Sequence, residues 1–404
     1  MEQPTAVIEI TNSVIRIVIG YVVEGKPCII YTREAPTRGS VQKGEIIDQN
    51  TLVQILSEFR SISDREARLR INVKEASVIL PPLAFSIFQT TKVTNTVSPN
   101  SVIETIDIQN AVSQVRKENI PNSTDVIDII PAVFQLDGNI LTREPPLGQK
   151  SNTLTLRAFI HTLPIHLKDS YRDTFDKAGI VMKRPFVSPY AIGALAQTQA
   201  DMPSDFLLID MGEELTDITI IGRGLPYAST YFIGGAKFLK EKVSKDFGIS
   251  LEDAQHIIEL YGVDSLSTNF SPVIARSIRE DGSVVNYRCK DLNLEIDDFM
   301  KDYFKQLDAS LTTLFEGCKE EVKRLPIVVT GGFSNLNGLE KYLKDKFNDG
   351  RDIKFLAPKA LGVRDPKYSA AVGTLLLSLK YRGSLTDQRA KVSQVTRENE
   401  SNNG

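Results

Sequence analysis

The stretch Ile8–Ile19 aligns without gaps on Ile209–Ile220. Each copy reads as a β-rich run, an acidic residue (Glu9 or Asp210), a short polar turn and a second β-rich run. Taken alone, each is also satisfied by an ordinary β-hairpin. Repetition across the chain constrains more, because it points to two similar domains facing one another across a cleft, with the turns directed into it. Backbone N–H groups in such turns can cradle phosphates, and an acid at the strand end can hold a Mg²⁺-bound water. A third element, Ile327–Thr330, runs straight into Gly331-Gly332, where a bare backbone can lie close against a base or ribose.

The 404 residues predict two or three domains at about 150 residues each. With 41% apolar and 25% charged residues, the chain has enough apolar mass for a large core. A net charge of −3 disfavours a nucleic-acid binder that relies on a broad basic surface. Cys28, Cys289 and Cys318 are scattered, so a disulfide framework is not expected and a reducing compartment fits best. His161 and His166 could join a metal site only with partners that the sequence does not identify, and packing or surface roles are expected for them. The start of the chain lacks a secretory pattern, and no apolar run has the length of a spanning helix.

Periodicity predicts strands at Ala6–Ile10, Val14–Ile19, Val22-Val23 and Cys28–Tyr31, with Gly20 as a break. A helix is expected over 49–60, with Leu52, Ile55, Leu56 and Phe59 on one face, then a strand at Ala76–Leu80. Residues 85–162 suggest a small α+β unit, with a helix at Asp107–Lys117 and strands at Val126–Pro131, Ala132–Leu136 and Leu154–His161. Helices are expected at 167–178, ending at Gly179, and at Pro189–Ala200. The second half repeats the meander at Phe206–Asp210, Thr216–Ile221 and Ala228–Phe232. Helices at 236–246, 251–261, 296–322, 336–346 and 369–380 follow. From Gly383 the chain is polar and reads as frayed or disordered.

These motifs resemble the actin/hexokinase/chaperone superfamily, and within it the bacterial cell-division family FtsA. Gly39–Asp48 is similar to the family's S-x-G-I-x-x-G-x-I-x-D segment. Val126–Pro131, Phe134–Gly138 and Pro146–Gly148 resemble its inserted subdomain. Asp210–Asp217 falls where the family has D-I-G-G-G-T-T-D, and Phe232–Gly235 resembles P-x-G-G. Thr330–Gly332 and Ala370–Gly373 resemble its closing motifs. The resemblance implies an α/β fold of two actin-like (ribonuclease H-like) halves around a nucleotide cleft. It divides the chain into 1–84 with 163–200 and 369–382, an inserted α+β subdomain at 85–162, a second core half at 201–239 with 325–368, a small subdomain at 240–324, and a polar tail at 383–404. It places ATP and Mg²⁺ on Thr11, Asn12, Ser13, Asp210, Gly212, Thr216, Asp217, Gly234, Gly235, Gly331, Gly332 and Phe333, with Glu9 and Asp210 toward the metal.

Several of these elements are eroded. The family's first turn, D-I-G-S-S-K, reads Glu9–Val14 here, so Thr11 adds a Cβ and Val14 removes a cation. In the second turn Glu213 and Glu214 replace small residues, and an acid ~4 Å from a phosphate repels it by ~4 kcal/mol at an effective dielectric of ~20. The ribose-contacting A-E-x-x-K pattern reads Ala254-Gln255-His256-Ile257-Ile258, without its acid and lysine. Two expectations stand side by side. In one, nucleotide binding is weak or lost and hydrolysis negligible. In the other, Asp210, Gly212, Thr216, Gly234, Gly331 and Gly332 suffice for ATP without catalysis.

The resemblance also implies a non-enzymatic adaptor at the division septum. It would bind the C-terminal peptide of the tubulin-like protein FtsZ through about 240–325, self-associate into actin-like filaments and meet other division proteins. Lys240, Lys242 and Lys245 in that span read as a solvated face. The family reaches the inner face of the membrane through an amphipathic C-terminal helix. The tail here carries only Leu385, Val392 and Val395 as sizeable apolar residues, so direct tethering is not expected from it. A PilM-like pilus assembly platform and a superfamily sugar kinase are the competing readings. Gly39–Asp48 favours the division family over the first, and the eroded turns disfavour the second.

Overall fold

The computed structural model describes residues 4–64, 69–83, 85–263, 272–278 and 281–380. The chain divides into two compact units, Met1–Ala191 with Gly373–Gly404, and Ile192–Val372. The polar tail from Gly383 lies outside the described residues.

In the first unit, β1 (Thr5–Ile10) turns back through Thr11–Ser13 into β2 (Val14–Val23), which pairs antiparallel with β3 (Lys26–Pro36). β1 is buried along most of its length, with Val7 and Ile8 inaccessible, as a strand covered on both faces requires. Gly20 does not end a strand, contrary to expectation. β2 runs through it with an irregularity of register between Ile19 and Gly20, where the backbone of Cys28 comes too close for a side chain. The short strands β4 (Val41–Gln42) and β5 (Glu45–Ile46) precede α1 (Gln49–Arg60), which is capped by Asp48 Oδ1 accepting from Thr51 N–H at 3.1 Å. Leu52, Ile55, Leu56 and Phe59 are its buried face, as the spacing predicts. The pair β6 (Ser61–Asp64) and β7 (Leu69–Asn72) leads into β8 (Glu75–Leu80), which lies parallel to β1.

A second sheet follows, built from β9 (Ser86–Asn95), β10 (Thr124–Gln135), β11 (Leu141–Thr142) and β12 (Thr153–Pro164) in the order β11-β10-β12-β9, with α2 (Thr105–Arg116) between β9 and β10 in the chain. Ile108, Ala111 and Val115 of α2 pack on Phe134, Leu154, Leu156 and Ile160. The two strands expected at 126–136 are one long strand, because register shifts at Val126/Asp128 and Pro131/Val133 let it bend past Pro131 without ending. Helix α3 (Ile165–Lys177) ends before Gly179, whose φ of 73° is left-handed. β13 (Val181–Val187) then completes the first sheet in the order β13-β8-β1-β2-β3. Helix α4 (Ser188–Ala196) stops four residues short of its predicted end.

The second unit repeats the first sheet. β14 (Asp205–Met211), β15 (Leu215–Gly222) and β16 (Leu225–Ile233) form the antiparallel meander. Helices α5 (Ala236–Phe247) and α6 (Leu251–Tyr261) follow, then a hairpin of β17 (Val273–Ile278) and β18 (Val284–Arg288). The long helix expected at 296–322 is α7 (Cys289–Leu314). It starts earlier because Asp291 accepts from the Arg288 N–H at 2.7 Å, and it ends ahead of Gly317 at φ 73°. A short α8 (Glu320–Lys323) precedes β19 (Ile327–Thr330). The helix expected from 336 begins only at Leu339, as α9 (Leu339–Lys346), after a 3₁₀ turn at Gly332–Asn335. β20 (Ile353–Phe355) closes the sheet in the order β16-β15-β14-β19-β20. The last helix, α10 (Ser369–Lys380), falls where predicted. Both sheets therefore have three antiparallel strands and two added in parallel, so the sequence repeat is also a repeat of topology.

Candidate functional site

The two turns have the same skeleton. Thr11 N–H donates to Val14 O at 2.9 Å, and Gly212 N–H donates to Leu215 O at 2.9 Å. The repeat also aligns the residues across the ladder. Glu9 lies opposite Arg16, and Asp210 lies opposite Asp217.

In the first unit Glu9 is buried, and Arg16 Nη1 meets its Oε2 at 3.2 Å while Arg16 Nε reaches Glu34 at 3.1 Å. Burial raises the Glu9 carboxyl above its ordinary range, and the Arg16 charge works against that rise. The turn itself is stitched into the fold. Asn12 Oδ1 accepts the Gly44 N–H at 2.8 Å, Thr37 Oγ1 donates to Asn12 O, and Thr37 N–H donates to Ser13 O at 2.9 Å. Thr11 Oγ1 bonds within the turn, to Val14 O at 2.9 Å. Gly44 belongs to the Gly39–Asp48 segment picked out in the sequence, and its own carbonyl accepts from the buried Tyr171 hydroxyl at 3.0 Å. Thr37 and Gly44 were not legible as partners of this turn from the sequence.

In the second unit the turn Gly212–Glu214 is laid against the start of α5. Ala236 N–H donates to Gly212 O at 3.2 Å, Lys237 N–H to Glu213 O at 2.9 Å, and Gly234 N–H to Glu214 O at 2.9 Å. A Cβ on Gly235 would collide with Gly212 O and come within 2.6 Å of Glu213 O, so glycine is required for this approach. Glu213 pairs with Lys240, and Glu214 pairs with Lys237 at 2.9 Å. The Glu214 hydrogen bond is the main reason that Lys237 sits above the usual lysine range. Lys240 Nζ also reaches Gln255 Oε1 at 3.5 Å. The two glutamates are therefore not the uncompensated charges expected from the sequence. Lys242, on the face expected to be solvated, is ion-paired there with Asp246, Glu295 and Asp298. Lys245 is exposed.

The remaining predicted residues of this unit divide between the site and the core. Gly331 has φ 91°, and a Cβ there would come within 2.5 Å of Asp210 Oδ1. Gly332 follows it at the start of the 3₁₀ turn. Asp217 is buried, takes hydrogen bonds from Thr219 Oγ1 at 2.6 Å and Ser229 Oγ at 3.3 Å, and is pushed up by burial to about 6. Thr216 turns the other way, donating to Gly234 O and meeting the Tyr303 hydroxyl at 2.6 Å. Phe333 places its ring in the core, edge-on to Phe299 and Tyr303. Tyr303→Phe leaves Thr216 with a single partner, and a loss of about 1 kcal/mol in urea unfolding is expected.

Among the described residues no group of three or more His, Cys, Asp or Glu side chains is placed to hold a metal ion. His161 is buried edge-on between Phe85 and Tyr190, and burial lowers it to about 3, so it is neutral.

Comparison with known proteins follows the same lines. The family model for the cell division protein FtsA matches residues 207–373. The cell division protein FtsA of Streptococcus pneumoniae is 24% identical over 392 residues, covering 94% of this chain and 80% of that protein. The chain is similar to FtsA proteins over most of its length. Among solved structures, the PilM–PilN type IV pilus biogenesis complex superposes with a TM-score of 0.60 at 18% identity, over 92% of this chain and 98% of that one. MreB 5 of Spiroplasma citri bound to AMPPNP gives 0.56 at 12% identity, over 95% and 98%. At these identities the likeness is one of fold, and the fold of this FtsA-like chain is actin-like. No described helix is long and apolar enough to cross a membrane.

Proposed function

We propose that this FtsA-like chain is an actin-like adaptor of cell division that binds the C-terminal peptide of FtsZ, self-associates and helps organise the division ring at the inner face of the membrane. The observation that carries this reading is similarity to a cell division protein over 94% of the chain. The adaptor works without hydrolysis, and its nucleotide site is degenerate. Support for that part comes from the turns. The helix N–H groups of Ala236 and Lys237, which would otherwise be open to an anion, are taken by turn carbonyls. Two carboxylates stand in the second turn, and Glu9 is held by Arg16. The groups of the second unit do not fit a triphosphate. Of the two residues expected toward a metal, Asp210 lies near the end of β14 beside Gly331, while Asp217 opposite it is buried on the Thr219 and Ser229 hydroxyls.

Two measurements test the reading. A fluorescent FtsZ C-terminal peptide is expected to bind the purified chain saturably in anisotropy titration, and absence of binding would remove the adaptor assignment. Calorimetric titration with ATP and Mg²⁺ is expected to give no binding in the micromolar range.

A further inference from the structure

We propose that Glu213 and Glu214 act as built-in anions, seated on Lys237 and Lys240 at the start of α5 where a polyphosphate would otherwise be held, so that the chain blocks this subsite with its own carboxylates. The inference rests on the degenerate-site reading above and names its cause.

Three observations converge on it. One member of each pair is largely covered, with the Lys240 and Glu214 side chains 19% and 20% exposed and their partners Glu213 and Lys237 30% and 41%. Both pairs cross the same gap, between the second turn and the first turns of α5, over Gly235, where a side chain would hold the two segments apart. The same gap is closed by the backbone, through Ala236 N–H on Gly212 O and Lys237 N–H on Glu213 O. Two carboxylates and two ammonium groups thus cancel at the end of a helix whose dipole favours negative charge. Replacing the glutamates with neutral residues leaves Lys240 and Lys237, the latter still 3.9 Å from Glu241, facing a short polar turn, which is the chemistry that receives a phosphate chain. An incoming polyphosphate must first break two charge-assisted hydrogen bonds and displace like charges, so its affinity for the parent chain is low.

The test is calorimetric titration of the full chain with inorganic tripolyphosphate and, separately, with Mg²⁺–ATP. The parent is compared with E213S/E214S and with the near-isosteric E213Q/E214Q, each checked for folding by circular dichroism. Binding of tripolyphosphate to the double variants is expected to tighten by at least about tenfold, and to be lost again when K237A/K240A is added. If either double variant folds and binds no better than a weakly binding parent, the built-in anion is wrong while the degenerate-site reading stands. If the parent itself binds Mg²⁺–ATP in the micromolar range, the degenerate-site reading fails and this inference fails with it.

Discussion

Arg16→Ala is expected to destabilise the chain by about 3–5 kcal/mol at pH 8, because it removes one member of a buried ion pair and leaves the other. Arg16 and Glu9 face each other across β1 and β2, each with a side chain about one-eighth exposed, at 3.2 Å. Without the guanidinium, Glu9 keeps its desolvation penalty and loses its compensation, so its carboxyl rises further above the ordinary range. The sign of the pH dependence follows. A raised acid binds more protons in the folded than in the unfolded chain, so stability falls as pH rises from the unfolded value through the folded one. The deficit of R16A is therefore expected to be small near pH 4.5 and largest at pH 8, where urea unfolding or melting curves compare it with the parent. Glu9→Gln removes the charge and keeps Arg16 on Glu34 at 3.1 Å, so it is expected to cost less and to flatten the pH profile. Equal losses at both pH values would mean that Arg16 acts through packing alone.

The sequence repeat made the two meanders legible because a period-2 apolar run, an acid and a polar turn recur at the same spacing. Helix α1 was legible for a similar reason, with four apolar residues at helical spacing on one face. Other elements were hidden by composition. β9 reads SIFQTTKVTN, half-polar along its length, and its partners lie far along the chain in β12. Val322 extends the apolar spacing of α7 past its true end, and only the left-handed backbone at Gly317 marks the stop.

The site was legible as a set of turn residues and not as a set of charges. Glu213 and Glu214 find their lysines 27 and 23 residues away, on a helix whose facing side the sequence does not fix. Arg16 lies only seven residues from Glu9, and the pairing register was implicit in the repeat. The signal was there: a basic residue at the position that is acidic in the second copy.

That same position yields the other large effect. Asp217, the counterpart of Arg16, is 3% exposed, and its neighbours Thr219 and Ser229 supply hydroxyls but no cation. Burial moves its pKa from 3.8 to about 6, a shift that corresponds to roughly 3 kcal/mol of stability surrendered at neutral pH. The loss accumulates as pH rises from 3.8 to about 6 and is constant above that, because the folded chain then holds no extra proton. Asp217→Asn keeps the shape, can donate to either hydroxyl and removes the charge. It is expected to stabilise the chain by about 3 kcal/mol at pH 7.5 and by almost nothing below pH 3.8, read as the difference between parent and variant in urea unfolding at the two pH values. At equivalent positions of one repeat, then, one copy compensates its buried acid and the other adds a second. If D217N brings no gain at pH 7.5 in metal-free buffer, the carboxylate is already neutralised within the chain, and the asymmetry between the two copies has no energetic content.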